Sequence, residues 1–327
     1  MNGELERFLV DASGVPMDPE LDAFLAHFHE LGGEALCAVL FYGSCFSGAG
    51  RSSSSVYDFF LVVDSYRGFY GASLHALLNK IVPPNLYHIE IPGPGGSVLR
   101  SKYNVVSLER IGEETGRGAH DHYFIARLSQ KTGVLWARDE RVRERLAAGF
   151  FGAARQAVSL AASYLEPARA YTPLEVFGRF LEISYASDTR IEAAAKLSSI
   201  AAADPAFYET LYEEAVRRAG GPDGPLQELP GGRFSLALSE KALLERRGET
   251  RRFLLRSKWK TLPRWAKHLL TFRDPVPYLL AKYERHTGVP VALTPLQRRF
   301  PLIFGWPALW RILRERLGKD RKTLEGR

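Results

Sequence analysis

The period of the apolar residues changes once along this chain, near residue 140, and that change limits the folds open to it. Before it, short apolar runs rich in β-branched and aromatic residues are separated by Gly and Pro breaks; after it come alanine-rich segments with helical spacing. Strands gathered in one half and helices in the other specify an α+β protein. The expected organisation is a mixed sheet with helices over residues 1–140, a mostly α-helical domain over 141–240 and basic C-terminal helices over 241–327. A chain of 327 residues is long enough for each of the larger units to bury a core.

In the first unit Leu21, Phe24, Leu25, Phe28 and Leu31 share one helical face that stops at Gly32-Gly33, as a glycine-capped helix does. Residues 35–42 read as a buried strand closed by Gly43-Ser44. After a loop of small residues, 56–64 form a second strand, dense in Val, Phe and Tyr. Residues 74–81 are helical and end before Pro83-Pro84. Residues 87–91 form a third strand, and 98–107 a fourth that contains Lys102. Helices are expected over 141–166, 173–187, 190–202 and 205–219. Three prolines and five glycines within 220–232 mark a surface loop or linker. Beyond it, prolines from Pro263 to Pro307 divide the basic region into short helical pieces.

Charge is unevenly placed. From Lys241 onward there are 22 Lys and Arg against 7 Asp and Glu, so this quarter carries +15 while the whole chain carries only +7. Such a tail suits an anionic partner, a phospholipid surface or a nucleic acid; a solvated charged face is the other reading. Lys258, Trp259, Lys260, Arg264, Trp265 and Lys267 make a basic, aromatic segment of interfacial type. Trp306, Leu309, Trp310, Leu313 and Leu317 with Arg311, Arg314 and Arg316 make another. Helices of this kind also pack on protein cores. Cys37 and Cys45 are too few for a disulfide framework or a cysteine zinc site and point to a reducing compartment, the cytoplasm. The acidic N-terminus lacks the features of a targeting peptide, and no window holds the roughly 18 to 20 apolar residues that span a bilayer. Any membrane contact is expected to be peripheral.

The chemistry-bearing signal is Tyr42-Gly43-Ser44, a thirteen-residue gap, and then Asp58 among apolar residues on a strand. A glycine after a strand lets backbone N–H groups approach phosphate oxygens, and a serine hydroxyl adds a short donor. An aspartate on the adjacent strand offers hard oxygen to Mg²⁺. The arrangement resembles the nucleotidyltransferase superfamily of the polymerase-β type. It departs from that pattern at Phe60, where a second acid is usual. Glu90, between Ile89 and Ile91, has the form of a further metal ligand in that superfamily, or is an edge-strand glutamate facing solvent. Asp64 closes the second strand, as a metal ligand or as a cap on the following turn.

A longer series of motifs is similar to one family, the mitochondrial-type phosphatidate cytidylyltransferases, also called translocator assembly and maintenance proteins. The series runs Phe41-Tyr42-Gly43-Ser44, Asp58-Phe59-Phe60-Leu61-Val62-Val63-Asp64, Lys102-Tyr103-Asn104-Val105-Val106-Ser107, Ala126-Arg127-Leu128-Ser129-Gln130-Lys131, Arg138-Asp139-Glu140-Arg141-Val142 and Ser184-Tyr185-Ala186-Ser187-Asp188-Thr189-Arg190, with a last echo in Arg256-Ser257-Lys258-Trp259-Lys260 and Trp265-Ala266-Lys267. The resemblance implies a Mg²⁺-dependent enzyme that joins CTP to phosphatidate in anionic membranes, on their cytoplasmic inner face, with no nucleic acid partner. It implies that Tyr42, Gly43, Ser44 and Asp58 meet the triphosphate and its metal, that Lys102 reaches the nucleotide phosphates, and that Asp188 and Arg190 face the cleft; a helix-capping Asp188 is the alternative. Two rivals share the same residues. One is a nucleotidyltransferase with a sugar phosphate, small molecule or protein as acceptor. The other is an inactive module that binds anionic surfaces, to which Phe60 points.

Overall fold

The computed structural model describes residues 3–46, 55–187, 195–219, 224–271 and 294. Five strands, β1 (Leu36–Tyr42), β2 (Val56–Val63), β3 (Asn85–Pro92), β4 (Val98–Ser107) and β5 (Gly133–Ala137), form one sheet in the order β3-β4-β2-β1-β5. Only β2 and β4 are parallel; the other neighbours are antiparallel, so the sheet is mixed and the protein is α+β. The N-terminal part also holds α1 (Gly3–Ala12), α2 (Pro19–Gly32), α3 (Tyr66–Tyr70), α4 (Leu74–Ile81), α5 (Leu108–Thr115) and α6 (His122–Leu128). Then follow α7 (Glu140–Ala162), α8 (Pro173–Ser187), α9 (Ala195–Ala202), α10 (Pro205–Ala219) and α11 (Glu240–Thr271).

β2 is apolar on both sides because both are covered. Phe59, Leu61 and Val63 pack with Phe24 and Phe28 of α2, while Phe60 and Val62 pack with residues of α5, α6 and α7. A strand buried on two faces loses the polar alternation of a half-exposed one. Asp58 is the break in that run, at the end where the strand is only half buried.

α7 starts where Asp139 accepts a hydrogen bond from the Val142 amide, an N-cap that satisfies one of the first-turn donors. Its Val142, Leu146, Phe150 and Ala153 face the sheet. Phe151, Ala154, Val158 and Ala161 face a second core with α1, α8 and α10. The unit boundary expected at residue 140 therefore falls at the first turn of a helix that belongs to both cores.

Three expectations need correction. β5, which begins at a glycine and is only five residues long, completes the sheet where the sequence pattern marks no strand. The stretch read as a linker contains β7 (Leu226–Leu229), which turns through Gly231 and Gly232, at φ 82° and 69°, into β8 (Arg233–Leu236); with β6 (Ala170–Tyr171) these form a small sheet. Phe234 of β8 is buried in the helical core, which fixes the hairpin. Pro263 does not end a helix: α11 runs through it for 32 residues. The prolines from Pro275 onward lie outside the described residues.

Docking explains why α11 persists. Arg246 donates to the Ser159 carbonyl and hydroxyl, Arg247 to the Ser163 carbonyl, and Thr250 shares a hydrogen bond with the Ser163 hydroxyl. Further along, Ser257 donates to Asp121 at 2.8 Å and accepts from the His122 amide at 2.9 Å. Arg264 pairs with the Asp121 carboxylate and donates to the Pro83 carbonyl at 2.7 Å; Lys267 donates to the carbonyls of Val82 and Pro84. Both cations are only 4% exposed.

Burial, with the Arg264 guanidinium adding to it, pulls the Lys267 ammonium down to about 7, against about 10.4 for an exposed lysine. Between these two values the unfolded chain binds a proton that the folded chain lacks, so this residue makes stability rise with pH across that window. Urea midpoints measured from pH 7 to pH 9.5 are expected to rise in the wild type relative to Lys267→Met, whose profile lacks this component.

Candidate active site

Strand register assembles the site. Tyr42 of β1 lies opposite Asp58 of β2, Asp58 opposite Lys102 of β4, and Lys102 opposite His88 of β3. Residues opposite one another across a ladder share a face, so these four form one row across four strands, each about 5 Å from the next. All four side chains are half buried.

The turn after β1 closes on this row. Gly43 has φ +81°, and a methyl group placed on it would come within 2.6 Å of Asp58 Oδ2. The residue is thus held to glycine twice, by its backbone and by the carboxylate against it. The Phe46 amide donates to the Gly43 carbonyl at 3.1 Å, which tightens the turn and leaves Ser44 exposed at its tip.

Behind the row, Phe60 occupies the place of the usual second acid. It is buried, and its ring stacks on Tyr42 at 4.8 Å. Asn104, two residues after Lys102 on the same face, donates to the Tyr42 hydroxyl at 2.8 Å and accepts from the Tyr123 hydroxyl at 3.1 Å. Tyr123 on α6 carries the Arg127 guanidinium over its ring at 3.6 Å and that of Arg264 at 4.7 Å. These contacts tie the sheet to α6 and α11. Burial pushes the Arg264 guanidinium down to about 10, with Glu114 opposing, and it pushes the His88 imidazole below its ordinary value, where Glu90 opposes and Lys102 and Arg100 add to the effect.

The structure therefore brings together Tyr42, Gly43, Asp58 and Lys102. It does not bring in Glu90 or Asp64. Glu90 is exposed and bound to Arg100 at 2.9 Å, two strands over and one row along from Asp58, about 12 Å away by strand spacing and rise. Asp64 lies six residues further along β2, about 20 Å from Asp58, and accepts from the Ser65 amide ahead of α3. Neither is placed beside Asp58. Asp188 and Arg190 lie outside the described residues. Among the described residues no group of three or more His, Cys, Asp or Glu side chains could hold a metal.

The docking segment is also corrected. Arg264 and Lys267 turn inward, and Lys260 donates to the His120 carbonyl at 3.2 Å, because these cations serve the packing of α11. Lys258 is half buried, and the Trp265 side chain lies outside the described residues. Trp259 is 70% exposed, with Leu255 at 47% one turn before it and Leu244 three turns earlier on the same side. Arg251, Arg252 and Arg256 are exposed beside them. Among the described residues no helix is long and apolar enough to cross a membrane.

No protein-family model matches this chain, and no curated protein does. Several motif residues have structural duties; Lys131, for example, pairs with Asp204 at 2.6 Å, and Asp139 caps α7. His88 was not among the expected site residues, because its place in the row depends on the register of β3 against β4. Asn104 was not among the expected site residues either, although the period of two, which puts it on the face of Lys102, was a signal that could have found it.

Gly43→Ala should lower stability by about 1–3 kcal/mol, the cost of a strained positive φ, with the collision against Asp58 added. Gly71, at φ +67° with nothing within 4 Å, supplies the control: Gly71→Ala carries only the backbone cost, so chemical denaturation is expected to rank Gly43→Ala as the more damaging.

Proposed function

We propose that this chain is a nucleotidyltransferase of the polymerase-β type, acting as a phosphatidate cytidylyltransferase that converts CTP and phosphatidate to CDP-diacylglycerol and pyrophosphate. The observation that carries the reading is the contact of Gly43 with the Asp58 carboxylate, in register with Lys102. A phosphate-binding turn, one carboxylate and one cation then share a single place. The choice of CTP and phosphatidate rests on the family resemblance of the motifs.

One carboxylate without a second fits a Mg²⁺ that arrives on the triphosphate rather than one held in a protein cage, since Mg²⁺ commonly takes one or two carboxylates together with substrate phosphates. Asp58 would hold it, and when bound it would offset charge on the reacting phosphorus and the pyrophosphate leaving group. The Gly43 turn and the Ser44 hydroxyl bind phosphate oxygens. Lys102, a compact charge half sheltered from solvent, neutralises what remains. An oxygen of the phosphatidate phosphate attacks the α-phosphorus in line, and the bridging bond to the β-phosphorus breaks. That nucleophile is an anion near neutral pH, so the chain needs to orient it rather than deprotonate it.

Phosphatidate lies in a bilayer, and the outer side of α11 suits a docking surface: Leu255 and Trp259 for the interface, Arg251, Arg252 and Arg256 for anionic headgroups. Each cation near such a surface contributes about 1 kcal/mol. Vesicle sedimentation is expected to show binding to anionic but not neutral vesicles, with the variant Leu255→Glu/Trp259→Glu left in the supernatant.

The buried Phe60 favours a second reading, an inactive anion-binding module. Conversion of radiolabelled CTP and phosphatidate vesicles to a lipid-soluble product separates the two. Turnover is expected in the wild type, with a loss of about a hundredfold or more in Asp58→Ala; full activity in that variant would remove the mechanism, and calorimetric absence of Mg–CTP binding would favour the module.

A further inference from the structure

The row of four side chains has two ends, and the proposed function uses only one. The Gly43 turn stands at the Tyr42 end, where the triphosphate is held. The other end is His88 on β3, the edge strand of the sheet, two strand spacings and so about 10 Å from Asp58. Lys102 lies between the two. One row along from His88, Arg100 stands opposite Glu90 and is bound to it. Three nitrogen-bearing side chains, His88, Lys102 and Arg100, thus occupy one face of the outer two strands, with a single carboxylate among them.

In-line displacement sets the direction of approach. The acceptor must come from the side opposite the departing pyrophosphate. With the pyrophosphate at the turn and the α-phosphorus over Asp58 and Lys102, the side opposite the pyrophosphate is that of β4 and β3, where α11 packs against β3. A span of about 10 Å accommodates an incoming phosphate beside the one under attack.

We propose that His88 is a substrate-contacting residue which, with Lys102 and Arg100, binds the phosphate of the incoming acceptor, a phosphomonoester dianion. The inference rests on the nucleotidyltransferase reading and adds to it an acceptor subsite on the edge-strand side. His88 donates a ring N–H to a phosphate oxygen, while Lys102 bridges the acceptor and the α-phosphate. Arg100, held by Glu90, bounds the subsite on its outer side.

The test compares wild type, His88→Leu, which removes the donor, and His88→Gln, which keeps one, in steady-state cytidylyl transfer with phosphatidate vesicles. His88→Leu should raise KM for phosphatidate about tenfold or more, with KM for CTP unchanged and kcat within about twofold, the loss of one hydrogen bond to a charged group. His88→Gln should recover part of it. An unchanged phosphatidate KM, or a rise in the CTP KM instead, overturns the proposal. Should the wild type transfer nothing, the catalytic reading fails and the subsite is judged by NMR. Glycerol 3-phosphate added to the Mg–CTP-treated protein must move the His88 ring resonance, and the movement must be lost in Arg100→Ala; no movement overturns the subsite as well. Equal shifts with glycerol 3-phosphate and phosphatidate vesicles would mark a headgroup site, and shifts with vesicles alone would assign the perturbation to the bilayer and overturn it.

Discussion

The parallel pairing of β2 with β4 is the constraint on which this structure turns. Two adjacent parallel strands need a crossover, and here the crossover comprises α3, α4 and β3. Because β3 then pairs back on β4, it becomes the sheet edge, and its His88 falls into line with Lys102 and Asp58. A shift of β4 by one residue would turn Lys102 to the opposite face and bring Tyr103 out of the aromatic layer with Phe28 and Tyr87. The apolar packing below the sheet thus fixes the register that assembles the polar row above it.

The second organising feature is the use of basic residues inside the protein. Arg264 and Lys267 enter the space between α11, α6 and the turn after α4, where carbonyls and the Asp121 carboxylate receive them. Desolvating such groups is costly, and a buried ion pair often contributes little net stability over an apolar substitute. Its geometric demand is strict, because each donor must find its acceptor. That demand sets where α11 sits along α6 and delivers Arg264 to the Tyr123 ring, whose hydroxyl reaches Asn104 and, through it, Tyr42.

Local pattern made much of the fold legible. The apolar runs placed β1 to β4, and helical spacing placed α2, α4, α8 and α10 to within a residue or two, since each is long enough or sharply enough bounded by Gly or Pro. The short strand β5 and the hairpin of β7 and β8 were hidden, because the tertiary contacts of Val134 and Phe234 decide them rather than any local period. At the site, the approach of Gly43 to Asp58 was anticipated by the turn followed by an acid. The separation of Glu90 and Asp64 was not, because acid-bearing strands look alike until strand order and register are known. A charge count likewise cannot tell an inward arginine from an outward one: Arg264 and Arg256 lie on the same helix and have opposite surroundings.

The two stripes of α7 mean that the protein's halves hold one helix in common. Its Val142, Leu146 and Phe150 are shaped to the sheet, and its Phe151, Ala154 and Val158 to α8 and α10. A chimera joined just before Glu140 would present a foreign stripe to a native sheet, and one joined just after Ala162 would present a native stripe to foreign helices. Neither junction is neutral, so the helical half is not a self-contained cassette: replacing it means repacking α7 on both of its sides.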